Sequence, residues 1–256
     1  LQQRIEVPET DDEIKKLIIT FNDMISRLDQ SFEKQKQFIS DASHELRTPI
    51  SVIQGYVNLI DRWGKSDTEV LEESISSIKY ETEHMANLIK QLLFLARTDN
   101  KTQTAQLKPE DISIIAEDVV KEATVMDPKI SIKFTGNSSV TANIDEHLIK
   151  QLMWIFVDNA IKYSADKPII IDVNTGYEDG KPFFTVTDKG IGMEQENINH
   201  IFDRFYRADQ SRNKEIDGNG LGLSIAKWII EQHNGHIDVI SEIGNGSCFK
   251  ITFPQI

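Results

Sequence analysis

Cysteine is almost absent from this sequence of 256 residues, which contains only Cys248. A single cysteine excludes an internal disulfide framework and a zinc site of paired cysteines, so the chain suits a reducing compartment such as the cytosol. Long apolar runs are absent too. The longest, from Leu152 to Val157, falls far short of the ~20 residues that a membrane helix needs. We therefore expect a chain that does not span a bilayer and carries no secretory leader.

Positive charge is also in short supply. The chain has 28 Lys and Arg residues against 41 Asp and Glu residues, which gives a net charge of -13. Without a segregated basic patch this charge repels a phosphate backbone, so we expect no nucleic acid partner. The sequence begins at Leu1 rather than at methionine. We therefore expect a fragment of a longer protein, whose missing N-terminal part contains any membrane spans.

Glycine and proline are rare in the first hundred residues, where they occur only at Pro8, Pro49, Gly55 and Gly64. Apolar residues there recur at spacings of three and four, which predicts long helices. The first stripe is Ile39, Ala42, Leu46, Ile50, Ile53, Val57 and Ile60, and the second is Leu71, Ile75, Ile78, Thr82, Met85, Ile89, Leu92 and Ala96. Between them, Gly64 is expected to end one helix and Ser66 to cap the next. The pattern predicts an antiparallel hairpin that pairs with a second copy in a four-helix bundle, and therefore a homodimer.

The same spacing continues upstream of the hairpin. The apolar positions there are Ile14, Leu17, Phe21, Met24 and Leu28. Ser31 and Gln35 occupy the next two positions of this stripe and weaken it. Two interpretations stay open at this point: a flexible switch of helix register, or a solvated piece of coiled coil.

The second part of the chain has a mixed pattern. We interpret Thr98 to Pro109 as a linker. Helical spacing follows at Asp111 to Thr124, His147 to Tyr163 and Leu221 to His233, and strand patterns at Ile130 to Phe134, Ile169 to Val173, Phe183 to Thr187, Ile237 to Ser241 and Cys248 to Phe253. Gly180, Gly244 and Gly246 lie where hairpin turns are expected. Strands that follow one another without helices favour an antiparallel-rich sheet with helices on one face.

His44 is the first candidate functional residue. It lies two positions from the stripe residues Ala42 and Leu46, about 200° around the helix, so its imidazole is expected to point away from the core. It is either a surface histidine without a role or a nucleophile, since Glu45 can hold one imidazole nitrogen protonated and make the other more nucleophilic. Thr48 lies one turn further on the same face, and Pro49 is expected to kink the helix beyond it.

Two glycine clusters and one helix end suggest a phosphate ligand. Asp188 to Gly192 follows a predicted strand, and Gly218 to Leu223 leads into a predicted helix, although either cluster alone is more often a turn. The second cluster fits neither a Rossmann nor a Walker motif. At the end of another helix, Asn159 offers a neutral oxygen to Mg²⁺ and Lys162 a cation to a phosphate, unless both are simply a solvated terminus.

The motifs together resemble a known family. In order, SHELRTP at 43–49, DNAIKYS at 158–164, DKGIG at 188–192, IFDRFYR at 201–207 and GNGLGLSIAK at 218–227 resemble the H, N, G1, F and G2 boxes of bacterial sensor histidine kinases. RIEVPETDDEI at 4–14 and FNDM at 21–24 resemble the end of a HAMP linker, and RWGK at 62–65 resembles Gram-positive members paired with regulators of the OmpR type. The implied domains are the end of HAMP and a signalling helix (1–35), a dimerisation and phosphotransfer domain (36–100) and an ATP-binding domain (107–256).

The resemblance implies a fold and a reaction. The fold is a helical hairpin that dimerises into a four-helix bundle, followed by an α/β sandwich of the type shared with gyrase-like (GHKL) ATPases. The reaction is the autophosphorylation of a histidine by ATP. His44 is implied to attack the γ-phosphate, Glu45 to act as general base, and Thr48 to position a water molecule for dephosphorylation of a response regulator.

The resemblance also assigns the nucleotide site. Asn159 is implied to bind Mg²⁺, and Asp188 to accept a hydrogen bond from the adenine amino group. The other implied nucleotide-site residues are Lys162 and Tyr163 beside phosphate and ribose, Gly190 and Gly192 around the base, Arg207 at a phosphate, and Gly218, Gly220, Leu221 and Gly222 in a mobile lid from about Phe202 to Leu221. Ile155 departs from the pattern, because the family often has a second Asn there.

Partners and location follow from the same resemblance. The expected partner is a response-regulator receiver domain that docks near His44, with Val52, Ile53 and Tyr56 as contacts. The chain is expected to be the cytoplasmic portion of a protein anchored in the bacterial membrane through absent N-terminal segments. The alternatives are a GHKL-type ATPase without protein phosphorylation, against which the H box argues, and a non-catalytic scaffold, against which Asn159, Asp188 and the lid glycines argue.

Overall fold

The computed structural model describes residues 5–6, 13–64, 67–126, 130–136, 139–164, 169–208 and 218–255. The chain forms two compact units, Leu1–Asn87 and Leu88–Ile256. In the described part of the chain, no helix is both long and apolar enough to cross a membrane.

The first unit consists of two long helices. Helix α1 spans Glu13–Trp63 and helix α2 spans Thr68–Asp99, whose last turns belong to the second unit. The Gly64 N–H donates to the Ile60 carbonyl at 2.9 Å as α1 ends. Asp67 begins α2, because its Oδ1 accepts hydrogen bonds from the N–H groups of Glu69 at 3.0 Å and Val70 at 3.2 Å. The predicted cap, Ser66, lies outside the described residues, and Asp67 performs that role.

Helix α1 includes Ser31, Gln35 and His44 without interruption. The helix also continues across Pro49, although this proline has no N–H to donate to the Glu45 carbonyl. The Pro49 side chain is buried. The weakened stretch of the apolar stripe is therefore helical. Ser31 and Gln35 are both exposed on this helix.

The predicted apolar stripes are helical but do not form one buried seam. In α1, Ile39 is 59% exposed, Ile50 45% and Val57 51%, whereas the other stripe positions are half-buried. In α2, the buried positions are Ser74, Leu88, Leu95 and Thr98, none of which the predicted stripe included. The spacing predicted the two helices correctly. It did not predict the buried position of Ser74, because a pattern of apolar residues does not include serine. Each helix therefore retains a row of exposed apolar side chains.

The second unit is an α/β domain. Its elements are β1 (Lys108–Asp111), α3 (Ile112–Met126), β2 (Ile130–Phe134), β3 (Thr141–Ile144), α4 (Glu146–Lys162), β4 (Ile169–Glu178), β5 (Lys181–Asp188), α5 (Gln195–Ile198), α6 (Gly222–Gln232), β6 (His236–Glu242) and β7 (Gly246–Thr252). Five strands form a sheet in the order β2-β4-β5-β7-β6, in which only β2 and β4 pair in parallel among the described strands. The predicted antiparallel-rich sheet is thus confirmed.

Two differences from the predicted elements affect the start of this domain. Thr98 and Asp99 still belong to α2, and Lys108 already belongs to β1, so the predicted linker is shorter than Thr98 to Pro109. Strands β1 and β3 pair antiparallel in a separate two-stranded sheet that the sequence did not reveal. The Asp111 Oδ1 accepts hydrogen bonds from the N–H groups of Ser113 at 2.9 Å and Val140 at 3.0 Å, which joins the start of α3 to β3.

A buried histidine connects the two helices that flank the candidate site. The His233 Nε2 accepts a hydrogen bond from the Asp145 N–H at 3.0 Å, and its Nδ1 donates to the Ile229 carbonyl at 2.7 Å. The Asp145 Oδ1 in turn accepts from the Leu148 N–H at 3.2 Å and caps α4. Burial lowers the pKa of His233, while the Ile229 hydrogen bond and the Asp145 charge oppose this shift. The neutral ring thus ties the end of α6 to the start of α4.

Candidate active site

The candidate phosphoacceptor lies on α1. His44 and Thr48 are exposed, one helical turn apart, and Glu45 between them is half-buried. The Ser43 hydroxyl donates to the Ile39 carbonyl at 2.7 Å, back along its own helix. The segment therefore presents an imidazole to solvent on regular helical backbone, as a nucleophile that reacts with another domain requires.

A cavity of about 340 Å³ opens in the second unit, which is large enough for a nucleotide. It lies at the meeting point of the C-terminal end of α4, the loop after β5, and the turn between β6 and β7. Five of the predicted site residues line it: Asn159, Tyr163, Asp188, Gly192 and Arg207. Lys162, Gly190, Gly218, Gly220, Leu221 and Gly222 do not line it. The cavity thus gathers predicted residues from three separate motifs.

Asp188 ends β5 and is 8% exposed. Its Oδ1 accepts hydrogen bonds from the Gly190 N–H at 2.7 Å and the Ser247 N–H at 3.2 Å. Burial raises the pKa of this carboxyl, and the two hydrogen bonds partly offset the shift. Both bonds go to Oδ1, so Oδ2 remains as an acceptor for a ligand that carries hydrogen-bond donors.

The loop after β5 needs its two glycines. Gly192 has a φ of +66°, and a side chain there would clash with the Glu242 carbonyl oxygen. A Cβ at Gly190 would clash with the Tyr163 carbonyl oxygen. That same oxygen accepts a hydrogen bond from the Ile191 N–H at 3.0 Å. Glycine therefore lets this loop pack directly on the end of α4 and on the β6–β7 turn.

The β6–β7 turn supplies residues that the sequence reasoning missed. The Ser241 hydroxyl accepts from the Met193 N–H at 2.9 Å and donates to the Gly246 carbonyl at 3.0 Å. These bonds hold the turn against the loop after β5. Apolar lining residues also missed are Met193, Ile243 and Phe249. Ile191, Ile201 and Leu223 also line the cavity and lie within the quoted motifs, which did not identify them as site residues. For the β6–β7 turn, the sequence signal was the Gly244–Gly246 pair, which predicted a hairpin but not its place at the cavity.

Near the two ends of the predicted lid, which runs from about Phe202 to Leu221, a contact between Phe205 and Gly220 forms what we call the neck. The Phe205 N–H donates to the Gly220 carbonyl at 2.9 Å, and both residues have positive φ, of 61° and 65°. A Cβ at Gly220 would lie 2.7 Å from the Phe205 carbonyl carbon, so this position requires glycine. Beside the neck, the Tyr206 hydroxyl donates to Asn197 Oδ1 at 2.8 Å. Residues 209–217 of the lid lie outside the described residues.

The other predicted lid residues follow the neck. Leu221 is fully buried, and Gly222 begins α6, where a Cβ would lie 3.4 Å from Ile155 Cγ2. Gly218 has open space around the position of a Cβ. The departure at Ile155 thus places an apolar side chain beside the start of α6.

Asn159 is the candidate metal ligand. It is half-buried and lines the cavity, while Lys162, one turn further, lies 2.6 Å from the Asp158 carboxylate. Within the described ranges, no group of three His, Cys, Asp or Glu residues is arranged to hold a metal ion. A neutral amide oxygen with no acidic cluster around it fits Mg²⁺ that is held mainly by nucleotide phosphates and water.

Two family models match the chain in the order of these two regions. Residues 34–101 match the His Kinase A (phospho-acceptor) domain, and residues 144–256 match the histidine kinase-, DNA gyrase B- and HSP90-like ATPase. The chain belongs to the sensor histidine kinase family. The first model includes His44, Glu45 and Thr48, and the second includes every predicted nucleotide-site residue.

Curated relatives agree with this assignment. The chain is 42% identical over 247 residues to the sensor histidine kinase YkoH of Bacillus subtilis (strain 168), covering 96% of this chain and 54% of YkoH. It is 40% identical over 253 residues to the histidine-protein kinase ArlS of Staphylococcus aureus (strain USA300), covering 98% of this chain and 56% of ArlS. The chain therefore spans about half the length of the curated relatives it matches.

Solved structures share the fold. The Acinetobacter baumannii histidine kinase AdeS has a TM-score of 0.63 at 24% identity, over 83% of this chain and 98% of that chain. The histidine kinase ThkA, solved in complex with the response regulator protein TrrA, has a TM-score of 0.67 at 20% identity, over 90% of this chain and 66% of that chain. The predicted combination of a helical hairpin and an α/β ATPase domain is confirmed.

The resemblance of the N-terminal segment to a HAMP linker stays a prediction. Most of residues 4–14 lie outside the described residues. Within the described part, the Asn22 side chain accepts a hydrogen bond from the Ile5 N–H at 3.0 Å and donates one to the Ile5 carbonyl at 2.8 Å. This contact holds Ile5 against α1.

Proposed function

We propose that this chain uses ATP to phosphorylate His44 and then passes the phosphoryl group to an aspartate of a response regulator. The observation that carries the proposal is the buried Asp188 in a nucleotide-sized cavity, in a chain that also presents an exposed His44 within a phosphoacceptor domain. Phosphoryl transfer depends mainly on positioning and charge neutralisation, and the chain has residues for both.

The cavity residues divide into a base end and a phosphate end. At the base end, Asp188 Oδ2 accepts a hydrogen bond from the adenine amino group, while Met193 and Phe249 provide apolar contact. At the phosphate end, Arg207 offers positive charge from the cavity wall, and Tyr163 lies beside the ribose. Lys162 does not line the cavity and adds positive charge from the end of α4. Mg²⁺, held by Asn159 and the phosphates, would neutralise charge on the transferring group.

The chemical step uses residues of α1. A nitrogen of the His44 imidazole attacks the γ-phosphorus of ATP, the bond from phosphorus to the β,γ-bridging oxygen breaks, and ADP leaves with that electron pair. The proton on the other imidazole nitrogen passes to Glu45, which acts as general base. The regulator's aspartate then attacks the phosphorus, the nitrogen–phosphorus bond breaks, and the imidazole recovers its proton.

The reverse signal is dephosphorylation of the regulator. Thr48 is exposed on the same face as His44, one turn further along α1. Its hydroxyl orients a water molecule toward the phosphorylated aspartate of the regulator. The chain is then both kinase and phosphatase, with the balance set by the geometry of α1.

The functional unit is a homodimer formed through residues 36–100. Support comes from the exposed apolar rows of the two helices, including Ile39, Ile50, Val57, Ile75 and Ile89. A second copy would cover these rows in a four-helix bundle. The receiver domain docks near His44, where Val52, Ile53 and Tyr56 are half-buried and reachable, and the ThkA–TrrA complex supports a partner of this class.

The remaining proposals concern the whole protein. The chain is the cytoplasmic part of a membrane-anchored sensor, with a HAMP end and signalling helix at 1–35 and an ATP-binding domain at 107–256. The regulator belongs to the OmpR type. The shared length with YkoH and ArlS, about half of each relative, supports a longer protein. A GHKL-type ATPase without protein phosphorylation is not favoured, because the phosphoacceptor model matches residues 34–101.

Incubation with ATP labelled at the γ-phosphate, with Mg²⁺, tests the proposal. Wild-type chain should acquire label that is acid-labile and base-stable, and the His44→Gln variant should acquire none while it still binds ATP. ATP hydrolysis without label, equal in the two proteins, would instead support the plain ATPase.

A further inference from the structure

The last turn of α2 is joined to the ATPase domain by a two-pronged ion pair. Arg204 Nη1 donates to Asp99 Oδ2 at 2.9 Å, and Nη2 donates to Asp99 Oδ1 at 2.7 Å. The two residues are 105 positions apart in sequence. Two parallel hydrogen bonds fix both the position and the orientation of the guanidinium group, whereas a single hydrogen bond leaves the group free to rotate.

An aromatic contact joins the same helix to a second element. The Phe94 ring meets the Trp228 ring edge-to-face, with centroids 5.2 Å apart and planes at 88°. Leu95 and Thr98, between Phe94 and Asp99 in sequence, are buried. The end of α2 is therefore a packed part of the second unit, and Trp228 belongs to α6, which begins just after the neck.

Arg204 lies directly before the neck formed by Phe205 and Gly220. Phe205 has a φ of 61°, a conformation that is costly for an aromatic residue and persists only where its neighbours hold it. The next two residues, Tyr206 and Arg207, line the cavity. The position of Arg204 therefore affects the position of the neck and of the two cavity residues Tyr206 and Arg207.

We propose that Asp99 is a positioning residue for the phosphate end of the nucleotide. Through Arg204 it holds the neck, and through the neck it holds Tyr206 and Arg207 at the cavity. The inference rests on the proposed function, in which this cavity binds ATP. The base end is held separately, by the bonds from Gly190 and Ser247 to Asp188, so the Asp99–Arg204 pair acts on phosphates and not on adenine.

The arrangement also connects the last turn of α2 to the cavity indirectly, through Arg204 and the neck. Helix α2 is continuous from Thr68 to Asp99. Its last turns belong to the second unit, in which Asp99 bonds to Arg204 directly before the neck. A shift of the last turn of α2 changes how firmly Arg207 is held. The helix therefore influences triphosphate affinity without touching the cavity.

The test compares two ligands in calorimetry on the full chain. Asp99→Asn keeps the size of the side chain and removes its charge. We expect it to weaken binding of a non-hydrolysable ATP analogue with Mg²⁺ about three- to tenfold and to leave adenosine binding, measured by competition, unchanged. The charge reversal Asp99→Arg with Arg204→Asp should recover most of the loss, while Arg204→Asp alone should not.

Glu178→Gln is the matched control. It breaks an ion pair of 2.6 Å with Lys250. This pair is similarly exposed and also joins separate elements, but it is remote in sequence from the neck. This variant should bind both ligands as the wild type does. The inference is overturned if Asp99→Asn binds the ATP analogue with wild-type affinity. It is also overturned if the affinity for adenosine falls by the same factor as the affinity for the ATP analogue. Wild-type chain that binds neither ligand overturns the proposed function and this inference with it.

Discussion

Asp188 and Ser247 meet at the cavity although 59 residues separate them in sequence, and the Ser247 N–H donates to Asp188 Oδ1 at 3.2 Å. The end of β5 and the start of β7 are thereby joined at the base end of the site. The helix α6 and the described flanks of the lid come between these strands in sequence. The carboxylate is therefore fixed by the sheet rather than by the lid.

Asp188→Asn should weaken ATP binding without lowering the stability of the fold. Asn keeps the Oδ1 acceptor for Gly190 and Ser247 but presents an NH₂ group where adenine needs an acceptor. We expect ATP affinity to fall about 10- to 100-fold, since an unpaired buried donor costs about 1–3 kcal/mol. The folded pKa of Asp188 is raised, so its ionised form disfavours the fold at neutral pH, and the melting temperature should stay equal or rise.

Calorimetry with an ATP analogue and thermal melting at pH 7 check this prediction. Asp179→Asn makes the same chemical change in an exposed hairpin turn with a φ of 50°, where Asn is well tolerated. It should alter neither quantity. Unchanged ATP affinity in Asp188→Asn would show that this carboxylate does not bind the base.

Gly192→Ala should damage the site through the backbone. The φ of +66° and the clash of a Cβ with the Glu242 carbonyl oxygen both oppose a side chain. We expect a loss of about 1–3 kcal/mol in the free energy of unfolding, with weaker ATP binding. Gly55→Ala is the contrasting variant, because Gly55 lies within α1 and a Cβ there has no neighbour within 4 Å.

Denaturant titrations of the two glycine variants provide the comparison. Gly55→Ala should gain about 0.5–1 kcal/mol, the usual advantage of Ala over Gly inside a helix. Equal stability of Gly192→Ala and wild type would mean that the loop after β5 relaxes without cost.

Stability should fall on mild acidification because of His233. Its folded pKa lies below the ordinary value of 6.5, so the unfolded chain binds a proton more readily than the folded one. The contribution is complete above pH 6.5 and is lost as the pH falls from 6.5 toward the folded pKa, at a rate of at most about 1.4 kcal/mol per pH unit.

Urea titrations between pH 5 and 8 on His233→Gln test this assignment. Gln can accept the Asp145 N–H but cannot be protonated, so part of the acid-side slope should disappear. His236→Gln serves as the control, because His236 has a side chain 75% exposed. A slope identical in wild type and His233→Gln would assign the acid sensitivity to other groups.

Leucine at both Ser31 and Gln35 should bias the output of the chain. These residues interrupt the apolar stripe of an unbroken α1, so apolar side chains there should favour one helix register. We expect a changed ratio of autophosphorylation to regulator dephosphorylation. The double variant Gln30→Leu with Lys34→Leu, one position off the stripe, should leave the ratio unchanged, and no change in either double variant would contradict the register hypothesis.

Val57→Glu should dissociate the dimer. Val57 is 51% exposed in one chain and belongs to the apolar row that a second copy would cover. A buried charge without a partner is strongly unfavourable at such an interface. Light scattering after size-exclusion chromatography should show a monomer, whereas Asn58→Glu, at an exposed neighbouring position, should remain dimeric.

The sequence predicted the elements with strong local patterns and missed those formed by distant contacts. Ile169 to Val173 is rich in β-branched residues and lies in β4 as predicted. Lys108–Asp111 is polar and contains a proline, so only its pairing with β3 makes it a strand. Ser74 is buried at a position where an apolar pattern shows nothing.

The candidate site divides in the same way. Motifs indicated Asn159 and Asp188, because these residue types and their glycine neighbours have a recognisable spacing. Met193 and Ile243 carry no such signal. They line the cavity because the β6–β7 turn folds back over the loop after β5, and that approach depends on tertiary structure.

The hydrogen bond between Phe205 and Gly220 has a consequence for variation in chain length. Because this hydrogen bond already brings the two ends of the loop together, most of the entropic cost of closing the loop does not depend on its length. Doubling the number of residues between positions 208 and 218 would cost only about 0.6 kcal/mol more. Insertions between those positions should therefore be compatible with the same ATPase domain, so loop length there is free to diverge among homologues while the flanking residues stay in place.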